Sequence, residues 1–288
     1  MTSSPEPFEI EGADGGPLRG DLYQGVTHGG EPRAVVLCHG FRGYKDWGFI
    51  PLLASTIAAQ GTTAVAFNMT GSGIVGADGA FVERERFRKS TYSAELEDLD
   101  RVARWLSRRI AAGDRPAALG LIGHSRGGAM AILYAASHPE VRTVVALAAP
   151  SRIGVWPDAA FEAWREGRPH VVRDFRARAE LPLGPEIYDD ITRNSARYDL
   201  DRAAASLTIP LLVVQGDRDR SVPVEEGRVL ASWGPPATTE LAIIEGAGHS
   251  FQAGDKIRRT PPQLLEMIER VSAWVRRTME PGAREARP

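Results

Sequence analysis

Cysteine occurs once in the 288 residues, at Cys38. That excludes an internal disulfide and any cysteine-rich metal site. Its place in an apolar run makes it a small buried hydrophobe rather than a nucleophile. Lysine stands only at 45, 89 and 256, so arginine carries almost all the positive charge. The net charge of -2 gives no ground for a nucleic-acid or polyanion partner. No apolar run approaches the ~20 residues of a membrane span, so no membrane partner is expected. Met1-Thr-Ser-Ser-Pro-Glu-Pro7 has neither the basic nor the apolar region of a secretory signal, and the expected location is cytoplasmic. No internal repeat and no metal-ligand spacing is visible, and no cofactor is called for. The oligomeric state stays open, a homodimer included.

What is present is a chain built to fold. A hydrophobic fraction of 43% supports a sizeable core, in one large domain or one domain with an insertion. Phe8–Ile10 and Leu18–Tyr23 flank Gly15-Gly16 and read as an opening hairpin. Strands are expected at Ala34–Cys38, Thr62–Asn68, Leu119–Gly123, Val141–Ala148, Leu211–Gln215 and Glu240–Ile244. Helices are expected at Phe49–Ala59, Ser93–Ile110, Ala129–Ala136 and Pro262–Thr278. In the second of these, Leu96, Leu99, Ala103, Leu106 and Ile110 recur at three and four residues and share one face. Its acidic start and basic end suit the helix dipole, and its charges read as a solvated face. Alternating strands and helices argue an α/β fold, a mainly parallel twisted sheet covered by helices on both faces.

The organisation reads as a core in two parts, 1–150 and 207–288, interrupted by 151–206. That segment holds Trp156, Trp164 and many arginines and aspartates without a clear strand. It reads as a helical cap or lid inserted over the site. Residues 1–7 and 280–288 read as disordered ends.

The chemistry gathers around Gly123-His-Ser-Arg-Gly127. A buried strand runs into it and a helix leaves it, the setting in which G-x-S-x-G forms a nucleophile elbow. Glycines at 123 and 127 leave room where a Cβ would strike a neighbouring element. The helix behind Ser125 aims backbone N–H groups at developing negative charge.

A serine needs a general base, and the base needs an orienting acid. With an elbow of this kind the order along the chain is serine, acid, histidine. His170 and His249 lie downstream. His249 is preferred, because it follows the strand 240–244 in a Gly-rich loop, while His170 sits in an Arg- and Pro-rich region. The acid falls in Gly216-Asp-Arg-Asp-Arg-Ser-Val-Pro223. Asp219, past the strand end, is preferred over Asp217, which reads as capping the turn with its own backbone. Glu245 is a third candidate. Oxyanion donors are expected from the N–H groups of Arg126, after the nucleophile, and Phe41, in the loop after an early strand.

Together Cys38-His-Gly-Phe41, Gly123-His-Ser-Arg-Gly127, Gly216–Pro223 and Gly246-Ala-Gly-His249 resemble the α/β-hydrolase superfamily over about residues 8 to 278. His39-Gly-Phe-Arg-Gly-Tyr-Lys-Asp-Trp-Gly48 looks like its esterase, dienelactone-hydrolase-like or serine-aminopeptidase-like branch. Many members carry a charged D-x-R-G-x-G-x-S segment after the fourth strand. Here Asn68-Met-Thr-Gly-Ser-Gly73 stands there without the charges. The resemblance implies a Ser125–His249–Asp219 triad cleaving small-molecule carboxylic esters of small to medium acyl groups through an acyl-enzyme. An amidase or short-peptide peptidase would use the same triad. Thioester or carbon–carbon hydrolysis and a non-catalytic binding protein are further readings. Arg42 and Arg126 could face the pocket and favour an acidic acyl group, or face solvent.

Overall fold

A computed structural model describes residues 4–26, 31–110, 118–174, 178–254, 257 and 259–279. Ten strands and nine α-helices alternate along these residues. The hairpin β1 (Glu6–Glu11) and β2 (Pro17–Tyr23) opens the chain, followed by β3 (Arg33–Cys38), α1 (Ile50–Ala59) and β4 (Thr63–Phe67). Two helices follow, α2 (Arg84–Arg88) and α3 (Tyr92–Ile110). Next come β5 (Ala118–His124), α4 (Arg126–Ala135) and β6 (Val141–Leu147). After α5 (Asp158–Arg165), β7 (His170–Asp174), β8 (Ala179–Leu183), α6 (Glu186–Arg193) and α7 (Leu200–Ser206), the pattern resumes with β9 (Leu211–Gly216), α8 (Val224–Trp233), β10 (Thr239–Ile244) and α9 (Pro262–Met279).

Eight strands form one sheet in the order β1-β2-β4-β3-β5-β6-β9-β10. Pairing is antiparallel at β1–β2 and β2–β4 and parallel from β4 to β10. The strand alternation divides the core into two layers. Ala34, Val36 and Cys38 of β3 enter one cluster, and Val35 and Leu37 enter the other. Leu211 and Val213 part in the same way from Leu212 and Val214. A strand buried on both faces reads as a continuous apolar run, which is why these strands are plain in the sequence. Each fully buried Val, Leu or Ile contributes about 1.5–3 kcal/mol.

Three expectations need correction. The segment 151–206 is not purely helical, because β7 and β8 pair antiparallel as a second, two-stranded sheet. At five residues each, with only alternate side chains turned inward, they fall below what an apolar pattern reveals. β1 begins at Glu6, so residues 6 and 7 belong to the hairpin; positions 280–288 lie outside the described residues. α3 does not turn all its charges to water. Glu95 and Asp98 are 7% and 0% exposed. Asp98 accepts hydrogen bonds from Ala13 N (2.8 Å), Thr70 N (2.6 Å) and Thr70 Oγ1 (2.8 Å), joining the hairpin turn and the loop after β4 to the helix. That loop, which lacks charges, is held by an amide instead: Asn68 accepts from Lys45 N (2.7 Å) and donates to Ile74 O (2.9 Å).

The segment after β6 is fastened at several points. Trp164 Nε1 donates to Leu183 O (2.9 Å), and Gly184 N donates to Arg88 O (2.7 Å). Asp190 of α6 accepts from Ser93 N (3.1 Å) and Tyr198 Oη (2.7 Å), closing the start of α3. α7 packs against α4 and α8.

The tightest packing lies where β5 turns into α4. A Cβ on Gly123 would overlap the carbonyl of Gly127, and one on Gly127 would overlap that of Cys38. Backbone atoms cannot swing aside as side chains do. We expect Gly123→Ala to cost at least about 3 kcal/mol, at the upper end for overpacked cores. Thermal unfolding should fall by about 6 °C or more. An unchanged melting temperature would contradict the contact.

Candidate active site

Ser125 stands between β5 and α4 with φ 54° and ψ -125°, a left-handed conformation rare for a residue with a Cβ. The turn is held on both sides. Ser125 N donates to Leu147 O (2.7 Å), and Gly128 N donates to Ser125 O (2.9 Å). Strain of this kind persists only where the surroundings over-determine it.

β3 ends beside this turn. A Cβ on Gly40 would come within 2.9 Å of Ser125 Cβ, so only glycine lets the loop lie so close. His39 shapes that loop. Its Nε2 accepts from Met69 N (3.0 Å), which leaves the proton on Nδ1 to donate to Gly40 O (2.8 Å). Phe41 and Arg42 follow, with Arg42 at φ 60°. Arg42 Nη1 donates to Arg173 O (2.7 Å) and lies 3.6 Å from Asp174 Oδ2, tying the loop to the end of β7.

His249 lies five residues beyond β10, in a loop that brings it to Asp219. His249 Nδ1–H donates to Asp219 Oδ2 (2.8 Å). Asp219 Oδ1 accepts from Ser221 N (2.8 Å) and Val222 N (2.9 Å), and Oδ2 from Gln215 Nε2 (3.1 Å). Burial pushes the Asp219 carboxyl up, but these donors together outweigh it and hold it below its ordinary value. With Nδ1 engaged, His249 Nε2 is left to accept a proton.

Of the other acid candidates, Asp217 accepts from Gly246 N (2.7 Å), bracing the turn that starts the His249 loop rather than capping its own. Glu245 is exposed. His170 lies in β7, edge-on to Trp164 with ring centroids 6.1 Å apart.

Phe41, Trp47, His124, Ser125, Val222 and His249 line one cleft of about 440 Å³, with Arg42 and Asp174 at its polar side. That volume falls within the usual range for small-molecule pockets. His124, inside the Gly123–Gly127 motif, has a role that the sequence alone does not reveal. Its ring stacks on Trp47 at 5.6 Å, and its Nε2–H donates to the backbone carbonyl of His249 (2.9 Å). Burial, then repulsion from a charged His249, pushes His124 down to about 3, so it holds that loop as a neutral donor. Cys38 is buried and its thiol is pushed up, which keeps it inert.

Arg126 faces neither open solvent nor the cleft. It is 7% exposed and donates from Nη1 to Glu95 Oε1 (2.8 Å). Its guanidinium carbon lies 4.1 Å from the Phe41 ring centroid. Trp47 reaches the cleft. Trp156 packs edge-on to Phe41 at 5.4 Å, while Trp164 and Phe161 pack on each other at 5.8 Å.

The chain is similar to known proteins over most of its length. A model described as the alpha/beta hydrolase family matches residues 35–256. The monoacylglycerol lipase of Mycolicibacterium smegmatis is 26% identical over 284 residues, which cover 88% of this chain and 92% of that protein. A pimeloyl-(acyl-carrier protein) methyl ester esterase of Xanthomonas campestris pv. campestris is 31% identical over 161 residues, covering 45% of this chain and 62% of that one. Among solved structures, the esterase domain of a Rhodothermus marinus protein superposes with a TM-score of 0.66 at 20% identity, covering 96% of this chain and all of that domain.

A carboxyl held below its unfolded value adds stability at pH above that value and loses it as pH falls through the folded one. The advantage of wild type over Asp219→Asn in melting temperature should therefore shrink as pH falls below about 4. A constant gap down to the acid limit would show that the depression is absent.

Proposed function

Because this chain belongs to the alpha/beta hydrolase family, we propose that it is a carboxylesterase-like serine hydrolase. Its substrates are carboxylic esters with small to medium acyl groups. The observation that carries the reading is the Asp219–His249 hydrogen bond of 2.8 Å beside a strained Ser125, in one cleft. The relatives named as a lipase and a methyl ester esterase support ester cleavage.

Each residue then has a defined task. His249 Nε2 takes the proton from Ser125 Oγ as that oxygen attacks the ester carbonyl carbon. Asp219 keeps the Nδ1–H tautomer and stabilises the imidazolium that forms. The Arg126 N–H opens α4, where the first N–H groups have no partner within the helix. With the Phe41 N–H it receives the oxyanion. Collapse of the tetrahedral intermediate breaks the bond to the alkoxide, which leaves with the proton from His249. Water then repeats the sequence on the acyl-enzyme, His249 acting again as base, and frees the acid. The carboxylate of Asp219 makes four hydrogen bonds and needs no movement through this cycle. The segment 151–206 borders the cleft through Asp174 and meets Phe41 through Trp156, which supports its reading as a cap.

The test is turnover of p-nitrophenyl esters from acetate to decanoate beside aminoacyl p-nitroanilides. Ester cleavage should peak at short to medium chains and vanish in Ser125→Ala with folding intact. Asp219→Asn should lower kcat by about 10³–10⁴, the loss expected when the histidine tautomer is wrong. Asp217→Asn should change it by less than about tenfold, because only a loop hydrogen bond is weakened. Full activity of Ser125→Ala would reject the mechanism, and cleavage of anilides alone would reassign the enzyme as a peptidase or amidase.

A further inference from the structure

The residue after the nucleophile carries an unusual side chain for its place. Arg126 and Glu95 are each less than a tenth exposed, and they meet at 2.8 Å. Glu95 Oε2 is buried with no hydrogen-bond partner among the described residues. Burial raises the Glu95 carboxyl above its ordinary value, and the Arg126 charge opposes that without cancelling it. Such a pair is poor as a source of stability, since the desolvation of both charges offsets their attraction. Its geometry suits another task.

The guanidinium sits in an aromatic cage. Phe41 lies at 4.1 Å, Tyr92 at 5.0 Å and Trp156 at 5.8 Å from its central carbon. Phe41 also stacks on Phe87 at 5.7 Å. The next residue, Arg42, is left-handed, so the backbone at 41–42 is not at its intrinsic minimum and is held by what its side chains touch. Cation–π attraction is strongest when the pair is desolvated, as here. Glu95 fixes the guanidinium from the α3 side, and the cage fixes it from the loop side.

We infer that Arg126 spans the oxyanion hole: its backbone supplies one N–H donor, and its side chain, aimed by Glu95, holds Phe41 so that the second donor stays in place. Arg126 and Glu95 are thus positioning residues for the proposed reaction, through their side chains. This rests on the serine-hydrolase reading above. The separation of the two donors is set by one residue that belongs to both, and a hole of fixed width is what transition-state stabilisation requires. Arg42, bound to β7, grips the same loop from its other side. The donor geometry is therefore coupled to the segment after β6.

Two variants separate positioning from packing. Arg126→Lys keeps the charge and the reach to Glu95 but loses the flat guanidinium that stacks on the ring. Arg126→Met/Glu95→Leu removes both charges together, a change that buried pairs commonly tolerate without loss of stability. Both should unfold near the wild-type temperature. Both should lower kcat on p-nitrophenyl butyrate about 10- to 100-fold, short of the full loss of one donor, with KM within about threefold.

The readout that a structural role would not move is a sulfur substitution. In the matching thiono ester the developing charge sits on sulfur, which takes little from N–H donors. The variants' defect should shrink several-fold on that substrate. A folded Arg126→Lys with wild-type kcat, or a defect equal on both substrates, overturns the inference. Failure of the serine-hydrolase reading is seen separately, as a wild type whose Ser125 does not react with a fluorophosphonate.

Discussion

The contact on which the site depends is backbone against backbone, where the turn at 123–127 presses on the end of β3. Gly127 lies against the carbonyl of Cys38, Gly123 against that of Gly127, and Gly40 against Ser125. None of these approaches leaves space for a methyl group. Ser125, the helix start behind it and the loop with Phe41 are thereby set by main-chain packing before any side chain is chosen. The strained φ of Ser125 follows from the same wedge. The parallel sheet supplies the wedge, since β3 and β5 are neighbours and both end at the same edge.

The parts legible in the sequence are those where one local rule dominates. Strands such as β3, β5 and β9 are buried on both faces and show as unbroken apolar runs. α3 and α9 show their apolar faces at three- and four-residue spacing. The aspartate nearest His249 could be chosen over Asp217 because it lies past the strand end, where a turn can direct it. α8 is missing from the expected helices, although Pro223 followed by Glu225 and Glu226 is a helix-start signal. β7 and β8 carry none of comparable strength.

Charges were the least legible. On a helix face in sequence, Glu95, Glu97, Asp98 and Asp100 are alike, and solvent is the ordinary destination for each. What distinguishes them is the partner each meets. Asp98 meets the amides of Ala13 and Thr70, and Glu95 meets Arg126, 31 residues along the chain. No periodicity reports such a distant pairing. The same holds for Asp174, whose partner Arg42 is 131 residues from the neighbouring Arg173 that it also binds. Long-range polar contacts are specified by the fold rather than by local pattern.

Contacts of this kind bear on how the segment after β6 works. A lid that opens freely would meet the core through few, exposed contacts. This segment meets it through Asp190 at the start of α3, Gly184 at Arg88, Trp156 at Phe41 and Asp174 at Arg42. Two of the four touch the loop of Phe41, the proposed second oxyanion donor. In the proposed mechanism, opening the segment would disturb the donors as well as admit substrate. Access and transition-state stabilisation are opposed in such an arrangement. Under the proposed reading, the arrangement that costs least is a segment that stays seated on these contacts.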